Sequence, residues 1–190
     1  MTRIIELLRE EHREMEELLR VLESELNIFN RQEQPDYELL VSVISYFLDY
    51  PDCCHHPKED MIFEKLKVRS PAAAESVGNL EAEHRDEAAR LRQVQDVVSN
   101  ILLDHDIMPR QVFDRAVRDF IEQERAHMGM EERLLFPAAV RTLRPEDWAE
   151  IESRWGDTKT SLFTIGIEEK YHSLRDHILQ WAREAQKKRS

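Results

Sequence analysis

Apolar residues recur at steps of three and four from the start of the chain, at Ile4, Ile5, Leu8, Met15, Leu18, Leu19 and Leu22. That is the period of a helix with one buried stripe, and it predicts a first helix from about Thr2 to about Phe29. The polar stretch Asn30 to Pro35 closes it. Asp36 is placed to cap a second helix, whose apolar face carries Leu39, Leu40, Val43, Ile44 and Phe47. Pro51 and Pro57 interrupt this leg, because each removes a backbone donor and crowds the preceding turn. A kink, bulge or short break is expected there before the pattern resumes at Met61, Ile62 and Leu66. Ser70 followed by Pro71 reads as the start of a third helix, running to about Leu103. Pro109 opens a fourth, which carries Val112, Val117, Phe120, Ile121, Leu134 and Leu135 to about Leu143. Pro145 starts a short fifth helix around Trp148 and Ile151, and a last one spans about Ile167 to Gln186. The expected architecture is all-α: an antiparallel four-helix bundle over residues 1–143, with one or two additional C-terminal helices over 144–190 packed on or beside it.

Composition supports helices over strands, since only four glycines interrupt the chain and extended alternating Val, Ile and Thr runs are missing. Acidic residues outnumber basic ones by 39 to 27, for a formal charge of -12, which works against a general grip on phosphate backbones. No nucleic-acid partner is expected. No stretch approaches the roughly 20 consecutive apolar residues needed to span a bilayer, so no membrane partner is expected either, and a cytoplasmic location is the default. Cys53 and Cys54 are adjacent and cannot staple distant parts of the chain.

The chemistry lies in a repeated spacing. His55 stands 43 residues after His12, and His127 stands 43 residues after His84. Local sequence repeats with it: Glu11-His12-Arg13-Glu14 parallels Glu83-His84-Arg85-Asp86, and His55-x-x-x-Glu59-Asp60 parallels His127-x-x-x-Glu131-Glu132. The chain therefore reads as a duplicated helical hairpin, each half supplying a lone His and a His-x-x-x-Glu pair. Residues four apart on a helix share a face, so His55 with Glu59, and His127 with Glu131, can each aim two ligands at one point. With the lone histidines on the first and third legs, four imidazoles and two carboxylates would face the bundle interior. Imidazole suits ferrous iron, and a carboxylate can bridge two cations and offset their charge. Six ligands leave positions open on two irons, where dioxygen, peroxide or nitric oxide could bind. Taken singly, a helical His is more often structural, and a His/Glu pair four apart is more often a surface ion pair; the matched spacing is what singles these six out.

These residues resemble the hemerythrin-like, or HHE cation-binding, domains, whose helices present His, His-x-x-x-Glu, His, His-x-x-x-Glu in that order. The match covers about residues 1–143 and includes Leu134-Leu135-Phe136-Pro137. The resemblance implies a bundle with a non-haem centre of two iron ions (Fe2+/Fe3+), an oxo or hydroxo bridge being one form of it. Its implied metal ligands are His12, His55, Glu59, His84, His127 and Glu131, with the two glutamates bridging. Oxygen-carrying hemerythrins differ: they have a His-x-x-x-His pair in the third helix, and a His followed five residues later by Asp in the fourth. Ala88 and Glu132 stand at those places, which argues against reversible oxygen carriage. The pattern is closer to members implied in nitric oxide or peroxide handling, iron sensing or iron-sulfur cluster repair. The repair proteins carry an extra N-terminal cysteine-bearing segment, and none precedes His12. The expected function is a sensor, scavenger or redox protein for dioxygen, nitric oxide or peroxide, with catalysis left open. The alternative is an iron-responsive, non-catalytic module that engages a protein partner or a second copy through its C-terminal helices. A third reading is a metal-free interaction protein built on the acidic surface and Trp148, Trp155 and Trp181.

Several neighbouring residues compete with this set. His56 with Asp60 is also a pair four apart, but His55 keeps the 43-residue interval and a glutamate at the matching place in both halves, leaving His56 beside the ligands or exposed. Glu81-x-x-His84 and Glu124-x-x-His127 have the spacing of a ferritin-like di-iron oxidase, a reading that leaves out His12 and the His55/Glu59 pair. Cys53 and Cys54 could act as a redox pair, although small buried hydrophobes at a helix irregularity is the stronger reading. Tyr46 and Tyr50 read as packing, His172 and His177 as surface residues, and His105 receives no role.

Overall fold

The computed structural model describes residues 2–102, 110–159 and 162–189, and among the described residues no strand occurs. Helix α1 (Arg3–Asn30) buries the predicted stripe, with Ile5, Leu8, Leu18, Leu19 and Leu22 fully enclosed. Helix α2 (Tyr37–Tyr50) starts where the Asp36 carboxylate accepts the Leu39 amide at 3.1 Å. The interruption expected at the two prolines is a π-helical turn, Pro51–His55, in which the His56 amide donates to the Pro51 carbonyl five residues back. Helix α3 (His56–Arg69) continues the same leg.

The third leg differs from the unbroken helix expected from Ser70. The Ser70 hydroxyl does cap, accepting the Ala73 amide at 3.4 Å, but it starts only a short α4 (Pro71–Val77). Gly78 then takes φ +97° and ψ -156°, and α5 (Leu80–Leu102) begins afresh, with the Asn79 side chain accepting the Ala82 amide at 3.2 Å. A β-carbon on Gly78 would have open space, its nearest neighbour being Glu83 Oε1 at 3.8 Å, so any cost of adding one is backbone strain. Gly78→Ala should therefore lose about 1–3 kcal/mol, read as a shifted urea midpoint at constant slope; an unshifted midpoint would show that the break tolerates a side chain.

The fourth leg is α6 (Arg110–Met130), a second π-helical turn at Glu131–Leu135, and α7 (Phe136–Thr142). The second turn closes as the first does, with the Phe136 amide on the Glu131 carbonyl. Both turns end two residues before a proline, Pro57 or Pro137. Proline has no amide for the carbonyl four residues back and crowds it, and a widened turn relieves both problems. The expected helix end at Leu103, the start at Pro109, and His105 lie outside the described residues.

Helix α1 packs on α2 and α6, and α5 packs on the same two, which closes the four-legged bundle. Helix α8 (Pro145–Lys159) lies against α3, and α9 (Leu162–Arg189) lies against α1 and α2. Tyr171 and Ile178 of α9 enter the bundle core beside Tyr46 and Tyr50. Arg189 grips both oxygens of buried Glu25, at 2.6 and 3.1 Å, while Glu25 also accepts the Asp36 amide at 2.7 Å. No helix among the described residues is long and apolar enough to cross a membrane.

The core is split into two apolar clusters, and the split positions the site. One cluster contains Met15, Cys54, Leu91 and Met128; the other contains Leu8, Met61, Leu80 and Leu135. On each leg candidate ligands fall at or in the gap: His12 after Leu8, His55 and Glu59 before Met61, His84 after Leu80, and on the fourth leg His127 beside Met128 and Glu131 before Leu135. A polar layer thus lies between two apolar ones.

Candidate metal centre

The layer is organised by carboxylates behind the rings. The Nδ1 of His55 donates to Glu11 at 2.7 Å, and that of His12 donates to Glu132 at 3.2 Å. The second half repeats this with looser distances, His127 Nδ1 to Glu83 at 3.3 Å and His84 Nδ1 lying 3.4 Å from Asp60. A carboxylate on one ring nitrogen fixes ring orientation and leaves the other nitrogen, Nε2, to face inwards as a ligand. Glu11 and Glu83 are the residues immediately before His12 and His84, so each leg delivers one inward imidazole and one brace for the histidine 44 residues further on.

The inward atoms form two groups that share glutamates. His12 and His55 bring their Nε2 atoms within 3.1 Å of each other. Glu59 Oε1 lies 3.5 Å from the first and 3.1 Å from the second, while its Oε2 turns to His84 Nε2 at 3.6 Å. Glu131 does the same in reverse, Oε2 lying 3.4 Å from His12 and Oε1 lying 3.3 Å from His127 and 3.8 Å from His84. His12, His55, Glu59 and Glu131 thus form one cluster of metal-ligand geometry; His56, Glu59, His84 and His127 form the other. All six residues singled out by spacing are in the layer. A family model described as the hemerythrin HHE cation-binding domain matches residues 3–139. The chain belongs to that family. Among curated proteins and solved structures no match to it was found.

An HHE centre needs a cation, and the layer fits one. Both oxygens of Glu59 and Glu131, Nε2 of His127 and Nε2 of His84 are buried without a hydrogen-bond partner. Burying such groups unsatisfied is costly, and a metal ion is a partner for all of them at once. The charge balance agrees. Burial disfavours the charged form of His12, yet the carboxylates of Glu131, Glu132 and Glu59 outweigh it and raise the ring to about 12. Against the same burial, Glu59 and Glu11 lift His55 to about 9, and Asp60 and Glu131 lift His84 to about 10. Burial would raise Glu59 and Glu131, but the surrounding imidazoles hold both below the usual carboxylate range. The layer therefore attracts positive charge, with protons standing where a cation would.

His56 is the residue the sequence reading set aside. It is 6 % exposed and its ring stacks on His84 at a centroid distance of 3.8 Å, with Nδ1 donating to Asp52 at 3.2 Å. In a regular α-helix, consecutive residues point about 100° apart, and His55 and His56, at the junction of the π-helical turn and α3, fall in neighbouring groups. The five imidazoles thus include two from the second leg, His55 and His56, and one from each of the other three. Lys58 was missed as well: it is fully buried, its ammonium holding Glu11 and lying 4.7 Å from the centre of the Trp155 ring on α8. The repeated Glu-His dipeptide was the visible signal for Glu11 and Glu83; Lys58 has no counterpart in the second half, where Met130 follows the same pattern.

The remaining candidates sit at the edge. Glu124 is 3 % exposed and faces Glu87, and burial together with Glu124 pushes Glu87 well above the usual carboxylate range. The side chain of Glu81 lies outside the described residues. Cys54 is buried in the core and Cys53 is exposed, both as free thiols. Tyr46 and Tyr50 are buried and stacked at 4.9 Å, while His172 and His177 are exposed.

Proposed function

We propose that the chain is a non-haem di-iron protein whose centre binds or reacts with dioxygen, nitric oxide or peroxide, as a sensor, scavenger or redox protein. The observation that carries this is the division of Glu59 and Glu131, each with one oxygen towards either histidine group. Two adjacent cations are what such an arrangement serves. In this reading His12 and His55 would hold one ion and His56, His84 and His127 the other, with Glu59 and Glu131 offering an oxygen to each. When bound, the iron pair supplies one-electron chemistry and coordination positions for a small ligand. The protein's part is to fix the ring nitrogens through Glu11, Asp52, Asp60, Glu83 and Glu132, to offset the charge, and to keep bulk water away with Leu8, Met15, Phe136 and their neighbours. Phe136 stacks against His12 at 5.5 Å.

Anaerobic reconstitution with ferrous iron, followed by metal analysis and an optical spectrum, tests the reading. About two ions per chain and a charge-transfer band on oxidation are expected; protein that emerges without iron overturns it.

A regulatory role without turnover has its own support. Trp155 on α8 covers Lys58, Lys58 holds Glu11, and Glu11 holds His55, so the C-terminal helices touch the ligand layer through two side chains. Mixing the reduced protein with nitric oxide or peroxide separates the readings: repeated consumption marks a scavenger or enzyme, and a single stoichiometric spectral change marks a sensor.

A further inference from the structure

Glu87 on α5 and Glu124 on α6 have no role in the centre as described. They are 6 % and 3 % exposed, face each other, and each keeps its Oε2 without a hydrogen-bond partner. Two facing carboxylates in an interior repel and forgo the solvation they had in water. Such a pair either shares a proton or has a cation beside it. Glu87 Oε2 lies 3.7 Å from His56 Nε2 and 3.8 Å from His127 Nε2. Those nitrogens are two of the inward donors of the second group, and donors that share one ion at bonds of about 2.1 Å stand roughly 3–4 Å apart. Glu87 is therefore placed as a co-ligand of that group.

We infer that Glu87, backed by Glu124, is a further carboxylate ligand to the ion held by His56, His84 and His127. This rests on the two-ion reading above. Its consequence is an unequal pair. One ion takes His56, His84, His127, both bridging glutamates and Glu87; the other takes His12, His55 and the two bridges. Protein donors crowd the first, so an outside ligand is directed to the His12/His55 side.

The test compares wild type with Glu87→Gln, in metal-free protein and during anaerobic Fe2+ titration against a chromophoric chelator. Glutamine keeps the shape, cannot ligate as a carboxylate and can donate an amide hydrogen to Glu124. The metal-free melting temperature should hold or rise, while one of the two ions binds roughly tenfold or more weakly and the other changes little. A purely structural residue would instead lower the metal-free melting temperature. Glu124→Gln should weaken the same ion by a smaller factor, since it acts only through Glu87. Unchanged affinity for both ions in Glu87→Gln overturns the inference and leaves the two-ion reading intact; wild-type protein that takes up no iron overturns both.

Discussion

Glu131→Gln is expected to leave the protein folded and without a stable metal pair. The change is isosteric, so the helical circular dichroism should persist. The carboxylate, however, is lost to both groups at once: its Oε2 serves the His12 side and its Oε1 the His84 and His127 side. An amide nitrogen on either side would present hydrogens where a cation should sit. Substituting a partner behind a ligand costs about 10–100-fold in metal affinity, and a shared ligand should cost at least that for each ion. Glu132→Gln is the informative control, because Glu132 meets only the Nδ1 of His12 and the Arg9 guanidinium. It should weaken metal binding without abolishing it. Metal analysis after desalting reads both variants, and a full complement of iron in Glu131→Gln would exclude a bridging role.

Lys58→Ala should cost roughly 3–5 kcal/mol, because it leaves the buried Glu11 charge without its ammonium partner. For a chain of this size that corresponds to a fall in melting temperature of roughly 6–20 °C. Both residues are enclosed, Lys58 fully and Glu11 to within 4 %, so water does little to compensate. The pairing also has a structural consequence, since Glu11 Oε1 takes the ammonium and Oε2 takes the His55 ring. Pairing Lys58→Met with Glu11→Gln should recover much of the loss, because neither residue then carries charge into the interior. Urea unfolding of Lys58→Met, Glu11→Gln and the double variant measures this coupling. Additive losses, within about 0.5 kcal/mol, would show that the ammonium and the carboxylate do not depend on each other.

The four legs and six of the inward side chains were legible because helical geometry is local: a buried stripe repeats every three or four residues, and a His and Glu four apart must share a face. The duplicated spacing then removed the ambiguity that any single pair carries. His56 was not legible for the same reason. Judged on a regular helix it points away from His55, yet both rings are buried in the polar layer. The prolines were visible, but a kink, a break and a π-helical turn all satisfy the same missing donor, and the choice among them is made by packing. Pro137 produced the second such turn inside a stretch whose apolar pattern looked uninterrupted. Gly78 was a local signal passed over, in a leg whose pattern otherwise runs on from Pro71. Lys58, Glu87 and Glu124 depended on something no local pattern carries, namely which charged side chain meets which across the bundle. In sequence Lys58 and Glu87 resemble the solvated charges around them, and Glu124 stood out only through its spacing to His127.

Each π-helical turn holds one residue more than the hydrogen-bonding register of an α-helix requires. Deleting a single codon between Pro51 and His55 would return the leg to the register of an ordinary helix, apart from the bond that Pro57 cannot donate. Yet the residues on one side of the lesion would be rotated by about 100° against those on the other. Either Leu39, Leu40 and Val43 would keep their seat in the apolar core and Glu59 would swing out of the layer, or the reverse. Such a protein would look intact by its helix content and would have lost its chemistry, so the length of this short segment matters to the site as much as the His55 side chain it carries.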